Sequence, residues 1–206
     1  MIGIIDYGVG NLFSLKSSFE AIGVKTFVSG NAEVLAQADK LVLPGVGAFG
    51  DAANKLRQTG LDSFVCQQAQ KGIPLLGICL GMQLLFEKSF EYGEHAGLGL
   101  LKGLVVPMAE RLPTDLKIPH MGWNALQLTK DNSRLFTNTK EGDFVYFVHS
   151  FFAENCSESL AATTEYGIPI TAAVEQRNIF GCQFHPEKSG NVGLDILRAF
   201  SAVNGG

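Results

Sequence analysis

The chain has 206 residues, a formal net charge of -4, 46% hydrophobic and 17% charged residues. That balance suits a compact folded protein with a sizeable core. It offers no basic stripe for nucleic acid and no apolar run of the ~18 residues that a membrane helix needs.

In chain order, Met1–Ile5 predicts a strand rather than the basic start of a signal peptide. Leu12–Ala21 predicts a helix, Val24–Val28 and Lys40–Leu43 strands, and Ala48–Arg57 and Leu61–Lys71 helices. Ile73–Ile78 follows as a strand and Leu80–Lys88 as a helix. Such alternation predicts an α/β, three-layer fold with a mostly parallel central sheet flanked by helices. The second half adds strands at Trp123–Leu128, Phe144–Val148, Leu160–Thr164, Ile170–Val174 and Ile179–Phe184, then a helix over Val192–Val203. Glycine and proline punctuate Ser89–His120, and no element is assigned there. One domain over residues 1–206 is the simplest organisation.

Four cysteines (Cys66, Cys79, Cys156, Cys182) have no C-x-x-C spacing. This argues against structural zinc and a disulfide framework, and for a reduced, cytoplasmic setting. Of the four, Cys79 stands out. It lies in Gly77-Ile78-Cys79-Leu80-Gly81-Met82-Gln83, after one apolar run and before another. A nucleophile on a sharp strand-to-helix turn needs small flanking residues of this kind. The helix start would favour thiolate, and the Leu80 N–H would point toward a developing oxyanion. Gln83, four residues on, shares the helix face of Cys79 and leans toward the thiol. The alternative is a small buried thiol with no chemistry.

His185-Pro186-Glu187 supplies the base and orienter such a thiol requires. Proline keeps His185 extended, so Glu187 faces the same way and can reach the ring. A surface turn is the plain reading of the tripeptide. Pro44-Gly45-Val46-Gly47-Ala48-Phe49-Gly50 formally spells G-x-G-x-x-G, the dinucleotide fingerprint. Against that use, Pro44 opens the turn and no acidic residue ends a second strand about 20 residues on. Its glycines would equally let a backbone strand approach a substrate and present N–H groups to an oxyanion.

The three motifs, in this order, resemble the class I (triad) glutamine amidotransferases. Asp6–Leu12, His120–Asn124 and Tyr146–Ser150 narrow the resemblance to the glutaminase subunits of imidazole glycerol phosphate synthases, from histidine biosynthesis. The resemblance implies Cys79 as nucleophile, His185 as general base and acid, and Glu187 as orienter. It makes Leu80 and Val46 oxyanion donors, with the Val46 peptide requiring reorientation. Gly47, Gln83, Glu91, Ser150 and Phe151 match positions that hold glutamine, the last two largely through backbone. Asn11, His120, Trp123, Tyr146 and Lys188 match positions that face a cyclase subunit, a (β/α)8 barrel that consumes the ammonia. No cofactor, metal, nucleic acid or membrane is implied. Three rivals stand beside this reading. They are a glutaminase of another synthase, such as one for surface-sugar amination, a non-catalytic docking subunit, and an oxidoreductase built on Gly45–Gly50.

Overall fold

A computed structural model describes residues 1–204; residues 205 and 206, the end of the expected domain, lie outside the described residues. The first half runs β1 (Ile2–Ile5), α1 (Leu12–Ala21), β2 (Thr26–Ser29), α2 (Ala32–Leu35), β3 (Lys40–Gly45), α3 (Phe49–Gln58), α4 (Leu61–Gln70), β4 (Leu75–Cys79) and α5 (Leu80–Leu84). Then come β5 (Lys88–Ser89), β6 (His95–Ala96), β7 (Leu104–Pro107), β8 (His120–Ala125), β9 (Gln127–Leu128), β10 (Phe144–His149) and β11 (Phe151–Glu154). The chain closes with β12 (Leu160–Glu165), β13 (Pro169–Gln176), β14 (Ile179–Cys182) and α6 (Gly190–Ala202).

The main sheet has the order β2-β1-β3-β4-β14-β13-β12-β9. Its pairings from β2 to β14 are parallel, and those from β14 to β9 are antiparallel. Apolar side chains alternate between its faces. Ile5 and Leu43 join Phe49, Leu56, Val65 and Leu85 of the α3–α5 layer. Ile4, Val42 and Ile78 join Leu15 and Phe19 of α1, Phe200 of α6 and Phe147 of β10. Both faces are covered, so the parallel strands read as continuous apolar runs rather than alternating ones.

This arrangement is the expected α/β class, with β4 central and its carboxyl end beside those of β3 and β14. Two expected elements differ. The Leu80–Lys88 helix stops at Leu84, because residues 98–101 take over its carbonyls: Leu98 N–H donates to Leu84 O at 2.8 Å and Leu100 N–H to Leu85 O at 2.9 Å. Leu84, Leu85 and Phe86 are apolar because they sit at the centre of the molecule, not because the helix continues. The Trp123–Leu128 strand divides at Leu126. β8 pairs with β10 in a separate two-stranded sheet, whereas β9 joins the edge of the main sheet.

The unassigned region, Ser89–His120, supplies β6 and β7 to a third sheet ordered β11-β7-β5-β6, whose β11 comes from Phe151–Glu154. This sheet is small, and β5 and β6 have two residues each, too short to leave a periodic pattern.

Candidate active site

Cys79 closes β4 and precedes α5, with φ 54° and ψ -113°, a conformation that non-glycine residues rarely adopt. Close packing imposes it. A Cβ on Gly77 would lie 2.7 Å from Gly81 O, and one on Gly45 2.7 Å from Gly81 N and 2.9 Å from the Tyr7 hydroxyl. A Cβ on Gly81 would overlap the carbonyl oxygen of Leu43. Three glycines thus let β3 and the Cys79 turn touch backbone to backbone. The strain belongs to the fold, as at other nucleophile turns.

Beyond β14, the chain brings His185 to the same sheet end, where its ring and the Cys79 thiol line one cavity. His185 Nδ1 lies 2.8 Å from Glu187 Oε1, with both side chains almost wholly buried. Burial opposes charge on the ring, but the hydrogen bonds to Cys79 and Glu187 and the attraction of both groups outweigh it and push its pKa up to about 10. The direction of the shift favours a ring that holds a proton it can give to a leaving group. Removing the Glu187 charge while keeping the side chain's shape, as in Glu187→Gln, is expected to lower turnover by about 10²–10⁴-fold. Glutamate-release kinetics on the folded variant would check this, and an unchanged rate would deny Glu187 its orienting role.

A cavity of about 350 Å³ opens over the thiol, lined among others by Val46, Gly47, Leu80, Gln83, Glu91, Ser150 and Phe151. Every residue expected to hold substrate or oxyanion therefore lies around one space. Their contacts refine the roles. Both N–H groups of the Gln83 amide are engaged inside the protein, at 3.0 Å from Phe151 O and 3.0 Å from Gln183 Oε1, so Gln83 offers a ligand only its carbonyl oxygen. Glu91 Oε2 accepts from Phe49 N–H at 2.6 Å. Burial, the dominant influence, holds the Glu91 pKa above the ordinary carboxylate range.

That contact also bears on the G-x-G-x-x-G reading. A protein carboxylate occupies the amino end of α3, where a pyrophosphate would bind. Gly50 makes room for the His95 ring, at 2.7 Å from a hypothetical Cβ. Of the three glycines, Gly45 packs against the Cys79 turn, Gly50 against His95, and Gly47 has a positive φ with open space beside it.

The five expected partner-facing residues separate. Trp123 is 54% exposed and packs edge-on against Tyr146, with centroids 6.1 Å apart; Lys188 Nζ lies 5.9 Å from the Tyr146 ring centre. Asn11 borders a small cleft with Val46, His185 and Glu187. His120 departs from the expected surface position: it is buried, stacked between Phe147 and Tyr166 at 4.9 and 4.2 Å between centroids. Strand alternation explains this, since His120 faces inward from β8 while Met121 and Trp123 face outward.

Several residues given no role from the sequence belong to the site. Gln183 donates to Cys79 Sγ at 3.8 Å and accepts from Gln83. Its signal was available: a polar residue in an apolar strand, two positions before His185 and so on the same face. Tyr7 donates to Pro44 O at 2.8 Å, fastening the end of β3 beside the thiol. Burial and the nearby Cys79 hold its phenol well above the ordinary range.

A nucleophile turn at a parallel sheet's carboxyl end, facing a His–Glu pair across a substrate-sized cavity, defines a hydrolytic cysteine enzyme. The chain belongs to the class I glutamine amidotransferases, whose family profile (Glutamine amidotransferase class-I) matches residues 3–202. Within that class it groups with proteins named imidazole glycerol phosphate synthase subunit HisH. It is 50% identical over 206 residues to that of Bacillus subtilis, covering 98% of this chain and 96% of the relative. It is also 50% identical over 199 residues to that of Aquifex aeolicus, covering 96% and 94%. Among solved structures, PurLQS from Thermotoga maritima superposes with a TM-score of 0.76 at 19% identity, over 97% of this chain and 96% of that one. That likeness shows the shared fold.

Proposed function

We propose that this chain is the glutaminase subunit of an imidazole glycerol phosphate synthase. It hydrolyses L-glutamine and passes the ammonia to a cyclase subunit, which makes imidazole glycerol phosphate and AICAR in histidine biosynthesis. The observation that carries the chemistry is the meeting of Cys79 and His185 on the 350 Å³ cavity, with Glu187 bonded to His185 Nδ1 behind it.

Cys79 sulfur attacks the side-chain amide carbon, and backbone N–H groups of Leu80 and Val46 receive the oxyanion. As the C–N bond breaks, His185 gives its proton to nitrogen and ammonia leaves a glutamyl thioester. Water then attacks the thioester while His185 takes its proton, and breakage of the C–S bond frees glutamate and the thiol. In this scheme the buried Glu91 carboxylate and the Ser150–Phe151 backbone receive the amino-acid end of the substrate. Val46 is 43% exposed and is the first residue beyond β3, whose last residue Gly45 is paired with Cys79. A misdirected Val46 N–H would cost about 10²–10³ in rate, which makes this peptide the natural place for a partner to act.

The outer face of the β8–β10 hairpin supports docking of such a partner. Met121, Trp123 and Phe144 are 62%, 54% and 55% exposed, forming an apolar face beside Tyr146 and Lys188. Among the described residues no helix is long and apolar enough to cross a membrane, and the free thiols suit a cytoplasmic setting. The test is glutamate release by the chain alone and with its cognate cyclase and the cyclase's nucleotide ligand. Stimulation by the partner is expected. Stimulation by a different synthase's acceptor subunit, and not by the cyclase, would instead support the sugar-amination reading.

A further inference from the structure

The cavity wall at Ser150–Phe151 is held by a buried relay that reaches the β8–β10 hairpin. Phe151 O accepts from Gln83 Nε2 at 3.0 Å and lies 2.9 Å from His149 Nδ1. His149 Nε2 lies 3.0 Å from His120 Nδ1, and His120 Nε2 lies 3.3 Å from Asn124 Nδ2. Both ends of this series have fixed polarity. A carbonyl oxygen can only accept, so His149 carries its proton on Nδ1. At the far end, Asn124 Nδ2 also donates to Glu165 O at 2.8 Å, and its Oδ1 accepts from Ala125 N–H at 3.0 Å, so the amide cannot turn over. Asn124 therefore donates to His120 Nε2, which leaves His120 Nδ1–H to donate to His149 Nε2.

We propose that His149 and His120 are positioning residues for the glutamine site, locked together as Nδ1–H tautomers that hold the Ser150–Phe151 wall against the hairpin. This deepens the glutaminase reading and rests on it. Geometry around the rings agrees: His120 is sandwiched between Phe147 and Tyr166, and His149 is packed against both His120 and Phe147. Burial disfavours charge on either ring and lowers both pKa values, to about 4 for His120 and about 3 for His149. Ser150 O is engaged as well, by Met108 N–H at 2.9 Å. The wall's two carbonyls are thus tied to fixed neighbours, and only the His149 tie leads outward to β8. The outer face of that strand carries Met121 and Trp123, so a shift of the hairpin would be felt at the wall.

Two measurements test this on the chain in complex with its cyclase. His149→Phe keeps an aromatic ring and removes both hydrogen bonds; it should raise KM for glutamine about tenfold while kcat changes less than threefold. His149→Asn, whose amide places a donor where Nδ1 was, should restore KM to within about threefold of wild type. Because both rings serve one chain of bonds, His120→Phe added to His149→Phe should raise KM no further. The second measurement is nitrogen-15 NMR of histidine-labelled wild-type protein, assigned through the backbone. It should show both rings protonated at Nδ1 and bare at Nε2, against the usual preference of free imidazole. An unchanged KM in His149→Phe, or either ring carrying its proton on Nε2, overturns the proposal. Wild-type protein inert to glutamine would instead sink the glutaminase reading itself, while the NMR still reports the tautomers.

Discussion

Cys79→Ala should abolish glutamine hydrolysis, lowering the rate by at least about 10⁴-fold. The thiol lines the cavity together with His185 and is the group assigned to form the covalent intermediate. Without it, His185 has no nucleophile to protonate or relieve. Because the substituted residue keeps the strained φ of 54° without a sulfur to hold His185, alanine should cost little stability beyond the lost contacts. Glutamate release over time, with folding confirmed by thermal unfolding, separates the chemistry from the fold. Persistent turnover in the variant would reject the assignment of the nucleophile.

Gly81→Ala should have the largest effect on folding. Its new methyl group would occupy the space of the Leu43 carbonyl oxygen, and the obstacle is backbone at the centre of the sheet rather than a side chain able to swing away. Relief requires β3 and the Cys79 turn to separate, and the register Gly45↔Cys79 to fail with them. A destabilisation above about 4 kcal/mol is expected, at the extreme of single substitutions. A soluble variant should have lost activity, since the same contact sets the thiol's direction. Urea unfolding with an unchanged midpoint would show that the backbone contact is not what holds the turn.

These two residues also show why the site was legible in the sequence. Gly77 meets the Gly81 carbonyl within five positions and His185 meets Glu187 within three, so these contacts are local and leave a local signature. The alternating parallel half is legible for a related reason: each strand buried on both faces is a short, unbroken apolar run.

What escaped notice depends on distant partners. Gln83 meets Gln183 across 100 positions. His149 meets His120 across 29, and Asn124 meets Glu165 across 41. A polar residue in an apolar segment can be seen to face inward, but which distant partner it meets is set only when the fold unites them. His120 was legible only as a matching position, and its inward direction followed from a strand whose start lay in the unread region. Length misled as well: the apolar residues after Gln83 extend the helical pattern to Lys88, but residues 98–101 end the helix at Leu84. A carbonyl captured from outside leaves no trace in the helix's own sequence.

The four cysteines give the account its most direct test. Burial raises the thiol pKa values of Cys66, Cys156 and Cys182 and keeps them in their unreactive form. Among the four cysteines, Cys79 alone lines the cavity, together with His185. The protein should therefore be treated, in complex with its cyclase, with a glutamine analogue bearing an electrophilic side-chain carbon, then digested and weighed by mass spectrometry. One adduct on the peptide containing Cys79, prevented by excess glutamine and absent from His185→Ala, is the predicted result. An adduct spread over the other thiols, or one that glutamine does not prevent, would contradict the claim that this turn is a glutamine-directed nucleophile.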